Sequence, residues 1–406
     1  MERGYGAGVG EGPRYVPGGG EVWRDPWPGY ASLRDDAPLL HVADGDFWVL
    51  SRFDDVFAAA RDHRTYSSAE GLTVVYGERE KAGLTDDAVP IVMMDPPAHT
   101  VVRRPVGRRL TPRSVAGYEP MIRDAARACV RRLRELGEAD VVTEMFRPLP
   151  GVVVAALLGV PEADRPQLDR WTDAIVSGSD PLAGPAPVRA AVLELVAYFA
   201  ELVERRRVER GDDVVSALLD AVDQGAPITE VQLYGVAFTM VAGGNDTMTG
   251  LLGGAAEWLT RRPEQRRLLL EDRSLVPGAV EELLRLSSPL QAIARTVTRD
   301  VELHGATIPE GRKVLLLYGA ANRDPREFGP GAEDCDVRRP NPRLMAFGSG
   351  PHHCVGAAIA RLQARVAIEE LLAGCPDFAV DVGAVAYAPG ATVRRPVSMP
   401  FTAVAG

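Results

Sequence analysis

The chain has 406 residues, 56 Asp and Glu against 46 Lys and Arg, a formal charge of −10, and four cysteines. Charged residues at 25% and hydrophobic ones at 46% exclude wholesale disorder and describe a globular protein with a large core. The acidic balance argues against a nucleic-acid partner, and the scattered Cys129, Cys335, Cys354 and Cys375 argue against a disulfide-stapled secreted domain. Length alone points to two or three domains at about 150 residues each.

Residues 1–20 are dominated by glycine, lack the apolar run of a signal peptide and read as a flexible tail, leaving 21–406 as the body. No later stretch supplies the roughly 18 uncharged apolar residues of a membrane span, so the expected location is cytoplasmic, with no membrane partner. Leu39–Val42 and Phe47–Leu50 flank a turn-rich Ala43–Asp46 and predict a hairpin. Helical patterns cover Phe53–Arg61, Glu119–Leu136, Val188–Arg210, Asp213–Val222 and Glu264–Asp272. Strand patterns return at Thr296–Leu303, Lys313–Leu317 and Val393–Phe401. A helix-rich middle with small β-sheets at both ends is an α+β fold, mainly α, rather than alternating βαβ.

One predicted helix outruns the others. Thr229-Glu230-Val231-Gln232 has capping-box spacing, and the apolar pattern then continues to Trp258-Leu259, before Arg261-Arg262-Pro263 stops it. About 30 residues make a rod of roughly 45 Å, which does not fit separate small domains. Inside it stands Gly243-Gly244-Asn245-Asp246-Thr247. Two helix-interior glycines cost roughly 1 kcal/mol each relative to alanine. Either a neighbouring helix packs closely on small residues, or the helix widens where a flat cofactor or small ligand approaches. In the second case Asp246 and Thr247 offer an acid and a hydroxyl beside the gap.

Near the C-terminus, Phe347-Gly348-Ser349-Gly350-Pro351-His352-His353-Cys354-Val355-Gly356 leads into a helical Ala357–Leu372. Glycines around one cysteine point to a tight loop that sets a sulfur at a helix start, where backbone N–H groups and the positive helix end stabilise a thiolate. A buried, inert cysteine suits Cys129 and Cys375 but leaves this glycine spacing unexplained. Zinc suits it poorly, because three consecutive residues converge badly on one tetrahedral ion and no CxxC partner exists. A single thiolate bound axially to haem iron, with the opposite face open for oxygen, fits instead.

The string FGSGPHHCVG resembles the cysteine-loop signature of the cytochromes P450, and Gly243-Gly244 followed by Asp246-Thr247 resembles their acid–alcohol motif. Asp95-Pro96-Pro97-Ala98-His99-Thr100 is similar to the start of the family's helix beside haem, and Glu282-Leu283-Leu284-Arg285 to its ExxR helix. Ala321–Pro325 and Cys335–Arg339 are similar to its meander. GGNDT, ELLRLSSP and VLLLYGAANRD are similar to an actinobacterial, mycobacterial subfamily of family-130 type. The resemblance runs from about residue 22 to the end. It implies the single-domain fold of that family, a long central helix over the cofactor, and haem b.

By that resemblance Cys354 is the thiolate ligand of iron, with Phe347, Gly348 and Gly356 shaping its loop. His99, Arg103, Arg295 and His352 match partners of the haem propionates. Glu282, Arg285 and Arg339 match a buried structural network, and Asp246 and Thr247 a proton relay for oxygen activation. The substrate pocket is implied along Leu72, Val74, Met240, Val241, Gly244, Leu290, Ile293 and Val393, with Gly178–Pro187 as a lid. The implied reaction inserts one oxygen atom from O2 into a small lipophilic substrate. Electrons are implied to come from a ferredoxin and an NAD(P)H-dependent ferredoxin reductase, docking on Arg103, Arg104, Arg108, Arg113, Arg361 and Arg365. Pro105 predicts a kink in the haem-flanking helix. The alternative is a haem-thiolate binding or sensing protein without turnover, against which the intact Asp246-Thr247 pair weighs.

Overall fold

The computed structural model describes residues 12–403, apart from 82, 86–87, 178–185 and 342. Most of the expected lid at Gly178–Pro187 therefore lies outside the described residues, as do residues 1–11 of the expected tail. In the described part of that tail, Tyr15 stands edge-on to Phe47 at 6.1 Å, and the Gly20 N–H donates to the Ala388 carbonyl at 3.0 Å. The chain is thus already packed on the body before residue 20.

The hairpin forms over Leu39–Val42 and Phe47–Leu50, and joins a five-stranded sheet. Its order is Leu39–Val42, Phe47–Leu50, Lys313–Leu316, Ile293–Val297, Tyr66–Ser67, parallel only between the second and third strands. Two strand expectations need correction. Thr296–Leu303 splits into Ile293–Val297 and Val301–Leu303, because Asp300 turns the chain by accepting the Glu310 N–H at 2.8 Å. Val393–Phe401 shrinks to Pro396–Ser398 and Pro400–Thr402, whose first residues lack the N–H a longer ladder needs.

The long helix spans Glu230–Arg261, 32 residues, or roughly 48 Å. Its capping box is complete: Thr229 Oγ1 accepts the Gln232 N–H at 3.2 Å, and Gln232 Oε1 accepts the Thr229 N–H at 3.1 Å. One apolar core, reaching from Trp23 to Phe401, surrounds this helix through Leu233, Val236, Val241, Leu251, Leu252 and Leu259. A Cβ on Gly254 would fall 2.2 Å from Ser287 Oγ, so glycine there lets the helix Val276–Ser287 approach closely. The helix Ala98–Arg109 continues for four residues past the buried Pro105 rather than breaking at it.

Glu282 and Arg285 meet on the helix Val276–Ser287, and neither side chain has exposed surface. Arg285 donates to both Glu282 oxygens at 2.8 Å and to the carbonyls of Asn322, Ala332 and Asp334. Glu282 also accepts from Arg339 Nε at 3.2 Å, Asn341 Nδ2 at 3.1 Å and the Asp336 N–H at 3.1 Å. Burial opposes the charge on Glu282, yet these donors, led by Arg285, hold its carboxyl below the ordinary range. Glu282→Ala leaves the buried Arg285 uncompensated and is expected to cost about 3–5 kcal/mol in urea unfolding. A loss below about 1 kcal/mol would contradict that account.

Candidate functional site

Cys354 sits three residues before the helix Ala357–Gly374. Its N–H donates to the Phe347 carbonyl at 2.8 Å, and the Gly348 N–H donates to Met345 O at 2.8 Å. Gly350 has φ +69°, and a Cβ there would stand 2.7 Å from Arg61 Cα and 2.8 Å from Ala60 O. The loop therefore lies directly on the end of the helix Phe53–Arg61, where only glycine fits. Cys129, Cys335 and Cys375 are free thiols that burial pushes up, Cys335 to about 12.

Burial pushes the Cys354 thiol up as well, while the Gly356 N–H, Arg103 and Arg361 pull it down without prevailing. The expected stabilisation by a backbone N–H is present in the Gly356 contribution, but burial outweighs it. Cys354 keeps exposed surface and borders a cavity. Such a sulfur ionises when a metal coordinates it.

The cations expected nearby do converge. The His99 and His352 rings lie 4.3 Å apart, and Ser68 Oγ stands 3.2 Å from His352 Nε2. Burial, then the charge of Arg103, lowers His99 to about 4; burial, then Arg295, lowers His352 to about 3. Arg295 is 3% exposed and donates to its neighbour's carbonyl, Ala294 O, at 2.8 Å. No ion pair joins it to a carboxylate among the described residues. A buried guanidinium without an anion is costly, and two imidazoles held neutral beside it are ready hydrogen-bond partners. This set fits the propionate edge of haem. Arg103, whose charge bears on both imidazoles, also donates from Nη2 to the His353 carbonyl and braces the cysteine loop.

On the central helix, Thr247 Oγ1 donates to the Gly243 carbonyl at 2.7 Å, and Asp246 Oδ2 pairs with Arg395 Nε at 3.0 Å. The two glycines divide the two readings between them. A Cβ on Gly244 would meet Val154 Cγ2 at 2.7 Å, whereas one on Gly243 would meet nothing within 4 Å. Gly244 is a packing glycine, and Gly243 faces open space. The helix stays α-helical throughout, so the expected local widening is absent. Val241 is 0% exposed in the core. Val241 therefore borders no open space, which corrects its expected place in the pocket wall, whereas Gly244 keeps partial exposure.

Other expected pocket residues come together from distant segments. Leu290 bridges Val393, the Gln291 N–H donates to Thr392 O at 2.7 Å, and the Ala294 N–H donates to Leu72 O at 2.8 Å. Leu72, Leu290, Ile293, Val393 and Met240 all keep partial exposure. Val74, also partly exposed, packs against the cluster that contains Tyr30, Phe47 and Val49. On the other side of the cysteine loop, a cavity of about 680 Å³ is bordered by Arg103, Gly107, Val115, Val280, Cys354 and Leu362. Two arginines expected to offer free charge there are neutralised. Arg361 grips Glu281 at 2.6 and 2.9 Å, and Arg365 pairs with Glu119 and Glu369. Arg104, Arg108 and Arg113 remain exposed.

Sequence reasoning missed Arg395, Ser68 and Glu281. Only Arg395 carried a visible signal: a dibasic Arg394-Arg395 inside an otherwise apolar strand pattern.

A loop-held sulfur, a buried cationic edge and an acid–alcohol pair on one long helix define a haem-thiolate protein. The family model described as Cytochrome P450 matches residues 36–375. The chain is 51% identical over 388 residues to Cytochrome P450 130 of Mycobacterium tuberculosis, covering 94% of this chain and 96% of that one. It is 36% identical to the Vitamin D(3) 25-hydroxylase of Pseudonocardia autotrophica, covering 94% and 95%. Among solved structures, Mycobacterium marinum cytochrome P450 CYP268A2 in complex with pseudoionone aligns with a TM-score of 0.84 and 32% identity, covering 92% and 94%. The chain belongs to the cytochrome P450 family, in its family-130 type, and is a haem-dependent monooxygenase. No helix among the described residues is long and apolar enough to cross a membrane.

Removing a charge-assisted contact costs about 1.5–3 kcal/mol, so Arg295→Gln should weaken haem retention by roughly one to two orders of magnitude. Competition for haem by apomyoglobin measures this. Retention equal to the parent would show that Arg295 faces something else.

Proposed function

We propose that the protein uses haem b to insert one oxygen atom from O2 into a small lipophilic molecule, in the cytoplasm. Electrons come from NAD(P)H through a separate reductase and ferredoxin. The observation that carries this reading is the acid–alcohol pair Asp246-Thr247 beside Gly243, where an added Cβ would meet open space. Bound haem supplies the activation of O2 and the transfer of one oxygen atom, which thiolate ligation favours.

The chain's own residues have distinct parts in that chemistry. Cys354 would hold the iron, with its sulfur tuned by the Gly356 N–H and the Arg103 and Arg361 charges. Arg295, His99 and His352 would hold the propionates. The Thr247 hydroxyl, parked on the Gly243 carbonyl, turns to donate its proton toward the oxygen site. Asp246 resupplies it from solvent. The partly exposed Leu72, Met240, Leu290, Ile293 and Val393 offer an apolar wall suited to a lipophilic ligand. Pseudoionone in the Mycobacterium marinum structure and the vitamin D3 of the hydroxylase's name support that substrate class. Exposed Arg104, Arg108 and Arg113 support docking of an acidic carrier.

Two outcomes check this reading. Thr247→Ala should retain haem and still oxidise NAD(P)H, with product per NAD(P)H falling on the order of tenfold or more as peroxide rises. Unchanged product yield would remove Thr247 from the relay. Charge reversal at the exposed arginines, Arg108→Glu or Arg113→Glu, should slow first electron transfer from ferredoxin and flatten its salt dependence. The same reversal at ion-paired Arg361 tests geometry rather than attraction. An unaltered rate in both exposed variants would move the docking face elsewhere.

A further inference from the structure

Two acidic residues of the central helix are held by two consecutive arginines. Arg395 Nε lies 3.0 Å from Asp246 Oδ2, and Arg394 Nη2 lies 3.2 Å from Glu257 Oε2. Asp246 and Glu257 are eleven residues apart, three helical turns, and so share one stripe of the helix about 16 Å apart along its axis. The short stretch between the Leu290–Val393 bridge and the strand Pro396–Ser398 thus clamps the helix at two points.

The Arg394 end of the clamp is fixed independently of Asp246. Its side chain is 5% exposed and donates to Trp23 O at 2.7 Å and to the Tyr387 hydroxyl at 2.6 Å, while that hydroxyl donates to Glu257 Oε2 at 3.1 Å. The Arg394 N–H donates to Pro289 O at 2.8 Å, and the Arg395 carbonyl accepts the Ala388 N–H at 3.0 Å. A Cβ on Gly250 would come within 2.6 Å of the Arg394 carbonyl, so the backbone rests directly on the central helix. The place of Arg395 is set by these anchors rather than by its own ion pair.

We propose that Arg395 is a positioning residue for proton delivery: it holds the Asp246 carboxylate charged and in one orientation, ready to accept a proton from solvent and pass it to the Thr247 hydroxyl. Only protons move in this step: solvent protonates an Asp246 oxygen, and Asp246 passes that proton to the Thr247 oxygen as Thr247 releases its own hydroxyl proton toward the reacting oxygen; no electron is transferred. The inference rests on the reading of Asp246 as the relay acid. Burial pushes the Asp246 carboxyl up, and Arg395, with Arg147 as the other cation bearing on it, opposes that push. Without Arg395 only Arg147 opposes the burial that pushes this carboxyl up, so its protonated form is favoured more than in the parent.

The test uses haem-loaded enzyme carrying Arg395→Gln, Arg395→Lys or Asp246→Asn, each with an unchanged reduced, CO-bound spectrum. The first readout needs no substrate: the infrared absorption of a protonated buried carboxyl. It should appear in Arg395→Gln, vanish when Asp246→Asn is added, and be absent again in Arg395→Lys. The second is peroxide released per NAD(P)H, with a surrogate ferredoxin system and a lipophilic compound chosen by its spin-state shift. Arg395→Gln should raise peroxide at the expense of product by about tenfold, and Arg395→Lys should restore most of the product. Parent-like infrared absorption and coupling in Arg395→Gln overturn the inference, even where Asp246→Asn uncouples the enzyme. Parent-like coupling in Asp246→Asn overturns the relay itself.

Discussion

The position of the sulfur depends on a buried ion pair that never touches it. Glu282 and Arg285 have no exposed side-chain surface, and their remaining hydrogen bonds reach across the following segments to Asn322, Ala332, Asp334, Asp336, Arg339 and Asn341. Asn322 passes the constraint on, because its Oδ1 accepts the Met345 N–H at 2.6 Å. Met345 O accepts from Gly348, and Phe347 O accepts from Cys354. One fully satisfied charge pair thereby fixes a loop about 70 residues downstream to within hydrogen-bond tolerance.

The contrast with the cationic edge is physical. Arg285 is buried with every donor paired, so it is a structural charge. Arg295 is equally buried but meets a single backbone carbonyl, beside two imidazoles that burial holds neutral. Folding that arginine without an anion is unfavourable by several kcal/mol. That edge therefore suits an anionic group, which would give Arg295 a partner beyond its contact with Ala294 O.

Much of this was legible in the residues, for identifiable reasons. The central helix announced itself through the Thr229–Gln232 capping box and an uninterrupted apolar pattern, and its observed end at Arg261 follows from Pro263. Cys354 was legible because glycines at fixed positions report backbone geometry, as the contact of Gly350 with Arg61 shows. The double glycine was ambiguous because each glycine answers to a different neighbour: Val154 for one, open space for the other. The pairing of Arg361 with Glu281, and of Asp246 with Arg395, was illegible, since each joins segments whose separation along the chain gives no periodic signal. Length alone was a poor guide: the core around the rod draws residues from Trp23 to Phe401.

The central claim is that Cys354 supplies a thiolate to haem held by that loop. The absorption spectrum of the reduced, CO-bound protein, recorded for the parent and for Cys354→Ser, tests it most directly. The parent should show the red-shifted Soret band of thiolate-ligated haem, and Cys354→Ser should lose it while the fold persists. A parent spectrum typical of histidine-ligated haem would contradict the account, as would an unchanged band in Cys354→Ser, and would turn attention to His353 beside the sulfur.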